Sequence, residues 1–308
     1  MKKFDVTALG ELLVDFTENG MSAQGNPLLE ANPGGAPCNV LSMLQNLGKK
    51  TAFIGKVGAD MFGTMLTQAV KDQGINIDNL VTDDTVHTTL AFVHTGVDGD
   101  RDFSFYRNPG ADMMLREEEI QQEIFADTKI FHFGTLSFTS TDTKEATCYA
   151  VECAEEAGKL ISFDPNIRIN LWNDPQEARK AMDYGLKKCD ILKISDEELF
   201  FLTGIRDQDE AMKILKATYE IPFICLTMGR NGSCAYYHDR KVQMNAFVQE
   251  KTDARSVYQG TGLGMAIVKS LVDKMNGTIS VTSKEGEGST FVIRIPFEIA
   301  SKVEETKV

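Results

Sequence analysis

The chain has 308 residues, 42% hydrophobic and 25% charged, an ordinary globular composition with enough apolar mass for a large buried core. Its formal net charge of −13 disfavours nucleic acid and anionic membrane surfaces as partners, and no apolar run approaches a membrane span. Met1-Lys2-Lys3 has the charge of a signal n-region, but Asp5, Glu11 and Asp15 interrupt any apolar stretch after it, so no targeting segment is expected.

Strand and helix patterns alternate along the first two thirds. Residues 4–9 read as a short strand, 37–47 as a helix with Pro37 at its first position and Gly48 as its stop, 51–54 as a strand and 62–73 as a helix ended by Gly74. Residues 129–133 form the next strand, 142–157 a long helix ended by Gly158, and 160–163 a strand. Then come a strand over 191–194, a helix over 196–202 and a strand over 223–227. This order predicts an α/β fold, a doubly wound and mostly parallel sheet with helices on both faces. Segments 12–33 and 86–107 alternate polar and apolar residues without a helical period. The second carries apolar runs over 90–94 and 103–106 around Asp98-Gly99, the pattern of a tight hairpin. Together the two segments suggest a small β lid. A further hairpin over 233–237 and 241–247 follows the last parallel strand.

The six cysteines (Cys38, Cys148, Cys153, Cys189, Cys225, Cys234) form no CxxC pair and read as reduced core thiols of a cytoplasmic protein. The histidines (His87, His94, His132, His238) lack a metal-ligand spacing, and His132 reads as a core residue. Asp98, Asp100 and Asp102 have no Glu to close a calcium loop and read as a solvated turn.

Pro33-Gly34-Gly35-Ala36-Pro37-Cys38-Asn39 leads straight into a helix. A glycine pair lets backbone come close to a polyhydroxylated ligand, and the helix start offers free N–H groups. Gly48, Gly55-Lys56-Val57-Gly58, Asp60 and Phe62-Gly63 follow, and Gly10-Glu11-Leu12-Leu13-Val14-Asp15-Phe16 precedes. At this spacing the stretches resemble the ribokinase-like (PfkB) carbohydrate kinases. Phe105-Tyr106-Arg107-Asn108-Pro109-Gly110-Ala111-Asp112 and Phe163-Asp164-Pro165-Asn166-Ile167-Arg168 resemble the fructokinase branch, and the resemblance extends over residues 1 to about 249.

The resemblance implies a ribokinase-like fold, ATP and Mg²⁺ as cofactors and a fructose-like sugar as substrate. It implies that Asp15, Gly34, Gly35, Asn39 and Arg107 hydrogen-bond the sugar. A carboxylate suits two adjacent hydroxyls because it accepts two hydrogen bonds at once. Asp164 and Asn166, at the carboxyl end of a strand, are further substrate-binding candidates, although Asp164-Pro165-Asn166 is also simple turn chemistry. Arg168 would contact the transferring phosphate. Lys193, Thr227, Gly229 and Gly232 fall on the nucleotide side. Ser195-Asp196-Glu197-Glu198 stands where the family has Asn-x-x-Glu, whose Glu orders magnesium and its waters; the same residues form a Ser-x-x-Glu capping box, and both roles stay open. Lids of this family pair across dimers, which implies a homodimer through the lid.

After residue 247 the family expects a Thr-Gly-Ala-Gly-Asp-like sequence, an anion hole followed by the base that takes the sugar's proton. The chain instead reads Phe247-Val248-Gln249-Glu250 and then Gly260-Thr261-Gly262-Leu263-Gly264-Met265. This resembles the F-box and second glycine box of a sensor histidine kinase ATPase domain. That resemblance continues through Met275-Asn276-Gly277-Thr278-Ile279 and Glu287-Gly288-Ser289-Thr290-Phe291. Ile267, Val268, Leu271, Val272 and Met275 make one helical stripe, and Ile279 and Val281 can pair with Phe291, Ile293 and Ile295 across Glu285-Gly286. The expected division is a sugar-kinase domain over 1–249, cut short and continued by an αββ ATPase fragment over 250–308. Gly260, Gly262 and Gly264 can mimic the anion hole, but Leu263 or Met265 falls where the base belongs. The reading is therefore a fructokinase-type kinase of impaired turnover. The alternatives are a catalytically dead sugar or nucleotide binder, and a fusion of two reading frames without function.

Overall fold

The computed structural model describes residues 3–95, 101–237, 240–246, 278–284 and 288–294. The chain divides into two units, Met1–Ile224 and Cys225–Val308.

In the first unit, β1 (Phe4–Leu9) is buried along nearly its whole length, as befits a strand covered on both faces. The chain continues through β2 (Leu13–Met21), β3 (Pro27–Gly34), α1 (Ala36–Asn46), β4 (Thr51–Gly58), α2 (Met61–Asp72) and β5 (Asn76–Asp83). β6 (Leu90–Thr95) and β7 (Arg101–Tyr106) pair antiparallel as the hairpin pattern predicts; its Asp98-Gly99 turn, with Asp100, lies outside the described residues. Next come α3 (Glu123–Asp127), β8 (Thr128–Gly134), α4 (Thr141–Glu156), β9 (Leu160–Asp164), α5 (Pro175–Lys188), β10 (Ile191–Ser195), α6 (Asp196–Thr203) and α7 (Gln208–Thr218).

Six strands lie in the order β10-β9-β8-β1-β4-β5, and the registered pairs β1–β4, β1–β8, β4–β5, β8–β9 and β9–β10 are all parallel. The chain winds outward from β1 through β4 to β5. It then returns to lay β8 on the other side of β1 and winds outward again through β9 and β10. The order reverses between β1 and β8, and open α/β sheets take ligands beyond the carboxyl ends of their strands at such a point. The two segments without helical period build a separate sheet of order β3-β2-β6-β7.

Packing on the two sides of the large sheet differs. One core joins Val6, Ala8 and Phe53 of the strands to Leu41 of α1 and to Leu66 and Val70 of α2, with Leu12 and Val14 at the root of the small sheet. Elsewhere aromatic rings dominate. Phe131 and Phe133 share a face of β8 by the period of two, and Phe133 meets Phe163 of β9 at a centroid distance of 4.9 Å. Gly185 of α5 gives Phe163 its room, since a Cβ there would stand 2.3 Å from the ring. α4 buries a stripe of small residues, Thr143, Ala146, Thr147, Ala150 and Ala154, which lets the helix lie close.

In the second unit, β11 (Phe223–Thr227) spans the unit boundary and is followed by β12 (Ser233–Tyr237) and β13 (Arg240–Met244), an antiparallel pair. β14 (Thr278–Lys284) and β15 (Gly288–Arg294) form the hairpin expected of the tail, with Ile279 opposite Ile293 and Val281 opposite Phe291. The Glu285-Gly286 turn, Ile295, His238, the stripe from Ile267 to Met275, and Gly260, Gly262, Leu263, Gly264 and Met265 lie outside the described residues. Among the described residues no helix is long and apolar enough to cross a membrane. All six cysteines are free thiols.

Candidate active site

β1 delivers the chain to Gly10-Glu11-Leu12 at the reversal point of the sheet. Asp15 of β2 lies against Gly34 of β3, where a Cβ would stand 2.3 Å from Asp15 Oδ2. Gly35, with φ +115°, sits so close to the chain that a Cβ would come within 2.3 Å of the Glu11 carbonyl oxygen. Gly34 thus leaves room for the Asp15 carboxylate, and Gly35 lets α1 start hard against the turn after β1. Gly35 caps α1 without a side chain, and the Ala36 N–H instead donates to Glu11 Oε1 at 2.7 Å. Burial pushes the Glu11 carboxyl up to about 7, against the hydrogen bonds from its own N–H and that of Ala36. Asn39 lies one turn into α1, exposed, with its N–H on the Gly35 carbonyl at 3.0 Å.

The ends of β8 and β9 supply the other wall. Thr135 donates twice to the Pro165 carbonyl, from its N–H at 3.2 Å and its Oγ1 at 2.5 Å, and so fixes the Asp164-Pro165-Asn166 exit. Asn166 takes φ +43°, a left-handed value that asparagine tolerates better than most residues. Lys193 Nζ donates to Asp164 Oδ1 at 3.1 Å. Burial raises the Asp164 pKa, with Lys193 opposing and Glu198 adding to the shift. For Lys193, burial works against the charge, but Asp164 and Glu198 outweigh it and the pKa rises.

Glu198 closes the capping box, accepting from Ser195 N–H at 2.8 Å and Ser195 Oγ at 2.9 Å on Oε2 while its own N–H donates to Ser195 Oγ. Its Oε1 accepts the Ile167 N–H at 2.9 Å, which pins the loop carrying Asn166 and Arg168. The Arg168 guanidinium lies 5.6 Å from the Phe103 ring of β7. Asn170 Nδ2 donates to the Phe103 carbonyl at 3.4 Å, so the small sheet touches this loop. Glu11, Pro37, His132, Leu136, Asp164 and Asn166 line one cleft at the reversal point.

Arg107 has structural work of its own. Its guanidinium, 4% exposed, pairs with Asp112 Oδ2 through Nε and Nη2 at 2.7 Å each. Nη1 donates to Thr139 Oγ1 at 2.6 Å and Nη2 to the Leu136 carbonyl at 3.2 Å. Asp112 also accepts from Thr89. Of the five guanidinium N–H groups, one on Nη1 is left for a ligand. The signature residues Lys56 and Asp60 are likewise engaged within the protein. Lys56 Nζ reaches Glu119 at 2.8 Å, Asp83 at 3.2 Å and the Met114 carbonyl at 3.1 Å. Asp60 caps α2 through Gly63 N–H and holds Thr88.

In the second unit, Thr227 is buried at the end of β11. Gly229 (φ +51°) and Gly232 (φ +90°) shape the turn after it, and a Cβ on Gly232 would stand 1.9 Å from the Met244 carbonyl oxygen. Met228 N–H donates to the Gly232 carbonyl at 2.9 Å, closing the loop.

Among the described residues no group of three or more His, Cys, Asp or Glu side chains could hold a metal directly. Glu198 Oε2 is filled by two protein donors, and Oε1 keeps one lone pair beside Ile167 N–H, which fits a water-mediated role toward Mg²⁺ rather than direct ligation.

A cleft at the reversal point of a doubly wound sheet, lined by Glu11, Asp164 and Asn166 beside the first turn of α1, stands where open α/β folds take a small ligand. Comparison with known proteins agrees. Residues 3–256 match the profile of the pfkB family carbohydrate kinases, and residues 223–299 that of the histidine kinase-, DNA gyrase B- and HSP90-like ATPases. Probable fructokinase-2 of Arabidopsis thaliana is 39% identical over 288 residues, 91% of this chain and 84% of that protein. The structure of fructokinase with bound ATP from Xylella fastidiosa matches with a TM-score of 0.71 at 31% identity, covering 81% of this chain and 76% of that one. Fructokinase from Vibrio cholerae O395, in its fructose, ADP and calcium ion bound form, matches with a TM-score of 0.72 at 28% identity, covering 80% and 78%. The chain belongs to the pfkB family of carbohydrate kinases, and within it is fructokinase-like.

Proposed function

We propose that this protein binds a fructose-like ketose and ATP as a fructokinase does, and that its phosphoryl transfer is slowed by loss of the general base. The observation that carries the sugar half is the placement of Asp15, Gly34 and Gly35 beside α1, next to a cleft lined by Asp164 and Asn166. Asp15, the glycine backbone and Asn39 take the sugar hydroxyls, and the last Nη1 donor of Arg107 adds one bond. Arg168, on the loop pinned by Glu198, faces the transferring phosphate. Lys193, Thr227, Gly229 and Gly232 serve the nucleotide. Bound Mg²⁺ would neutralise phosphate charge, with Glu198 acting on it through water.

Phosphoryl transfer asks the protein for positioning, charge stabilisation and one base to align the nucleophile. By sequence, Gly260, Gly262 and Gly264 correspond to the family's glycine anion hole, but Leu263 or Met265 takes the position of its carboxylate, and neither accepts a proton. Removing a general base costs about 10²–10⁴-fold, or about 3–5 kcal/mol of barrier. The join falls near residue 249, with 250–308 as the ATPase-like fragment; the β14–β15 pairing supports this. The exposed Met21, Leu28 and Leu29 of the small sheet support a homodimer through it, and the free thiols support a cytoplasmic setting.

Differential scanning fluorimetry tests the sugar half. Fructose at about 100 times its dissociation constant adds about 2.7 kcal/mol and raises the melting temperature by several degrees. A melting temperature indifferent to fructose overturns the reading.

A further inference from the structure

Glu11 occupies the turn between β1 and β2, where the order of the large sheet reverses, and is only 6% exposed. Its carboxyl does for α1 what an N-cap side chain does elsewhere, because Gly35 has none and Pro37 has no N–H. The contact is two-sided: Oε1 accepts from Ala36 N–H at 2.7 Å, and the Glu11 carbonyl oxygen packs where a Cβ on Gly35 would lie. Glu11 also lines the cleft shared by Asp164 and Asn166. A carboxyl from the preceding turn thus grips the glycine pair against the sheet.

We propose that Glu11 is a positioning residue of the sugar pocket, holding Gly35 and the first turn of α1 so that the backbone of Gly34 and Gly35 and the side chain of Asn39 meet the sugar. The inference rests on the fructose reading above. An apolar replacement leaves the Ala36 N–H without its acceptor and frees the turn to shift. Glutamine keeps an acceptor oxygen in the same place and removes the charge.

The groups facing Glu11 are Cys38 from α1, Arg107 and Asp112 from the segment after β7, His132 from β8 and Asp164 from β9. Burial drives Cys38 well up and His132 down to about 4, so both stay neutral near pH 7. Arg107 and Asp112 are held in their ion pair, and Asp164 is shifted upward beside Lys193. Glu11, pushed by burial up to about 7, changes charge in this window. Its ionised form makes the stronger hydrogen bond to Ala36 N–H. Fructose affinity therefore rises with pH through neutrality in the natural chain and loses that Glu11 component in Glu11→Gln, where any remaining slope belongs to Asp164.

The test is isothermal calorimetry with fructose at about pH 6 and about pH 8 on the full chain, E11Q and E11A, with hydrogen exchange of amides 34–39 measured without ligand. E11A is expected to weaken fructose about tenfold or more and to speed exchange at Ala36, while E11Q stays within about threefold of the natural chain at the lower pH and shows a smaller pH slope. Unchanged fructose affinity in E11A, or an identical pH slope in E11Q, overturns the proposal. If E11A does not fold, the E11Q slope decides. If the natural chain takes no fructose, the sugar reading fails by itself. The Ala36 amide then decides alone: faster exchange in E11A supports the grip, and unchanged exchange overturns it.

Discussion

His132 and Glu11 carry opposite pH signatures. Burial, reinforced by the nearby Lys193 charge, lowers His132 to about 4, against an ordinary value near 6.5. Between these values the unfolded chain binds a proton that the folded chain refuses, so stability rises with pH across that window and is lost on acidification, by at most about 3 kcal/mol. Burial raises Glu11 to about 7, so between roughly pH 4.5 and pH 7 the folded chain keeps a proton the unfolded chain has released. Stability from this group falls as pH rises, by at most about 3 kcal/mol. The two slopes oppose each other, and Asp164, raised by burial, adds a fall of its own with rising pH up to about pH 6, so each group is read as a difference from the natural chain. In urea unfolding at stepped pH, the stability of His132→Gln relative to the natural chain is expected to fall from about pH 5 to about pH 6.5, and that of E11Q to rise from about pH 5 to about pH 7. Arg107 makes a second case. Arg107→Ala strands Asp112, whose side chain is 1% exposed, and is expected to cost about 3–5 kcal/mol by the same measurement. A loss under about 1 kcal/mol would mean the pair is not the strut described.

α6 shows how an element positions the site. Its capping box and the Ile167 N–H share one carboxylate, so Glu198→Ala is expected to cost about 1–3 kcal/mol and to speed amide exchange at 166–168. Exchange confined to residues 195–198 would separate the cap from the loop. Elements of this kind are legible in the sequence where periodicity or caps are strong. The helix expected over 142–157 appears as Thr141–Glu156, and the strand over 129–133 as Thr128–Gly134. β4 runs on to Gly58, past the strand expected over 51–54, and Lys56 within the extension finds ion-pair partners in Asp83 and Glu119. α5 escapes a reading by pattern because its buried stripe is Ala178, Ala181, Met182, Gly185 and Leu186, too small to stand out, although Asp174-Pro175 marks its start. α7 escapes it despite the Asp207 cap, and β5 because Asn76, Asp78 and Asn79 are poor strand formers. Within the candidate site, the glycine pair and the Asp164-Pro165-Asn166 exit are legible because the backbone dictates those residue types. The buried networks of Glu11 and Arg107 are not, because burial of a polar residue depends on what the fold brings over it.

At the scale of the molecule, two family patterns meet in one chain. The pfkB match ends at residue 256 and the ATPase match begins at 223, so they overlap across β11 to β13. Asp15, Gly34, Gly35, Asn39, Arg107, Asp164, Asn166, Arg168, Lys193 and Glu198 all lie in the first unit, ahead of that overlap. On the proposed reading, sugar binding and turnover are separable properties, the first resting on residues before 225 and the second on the residues beyond 247. The most direct measurement is a coupled ADP-release assay with fructose, ATP and Mg²⁺, run on this chain and on a version carrying Thr-Gly-Ala-Gly-Asp and its helix after residue 247. Restoring the carboxylate is expected to raise turnover about 10²–10⁴-fold. Equal turnover in the two proteins would contradict the loss of the base.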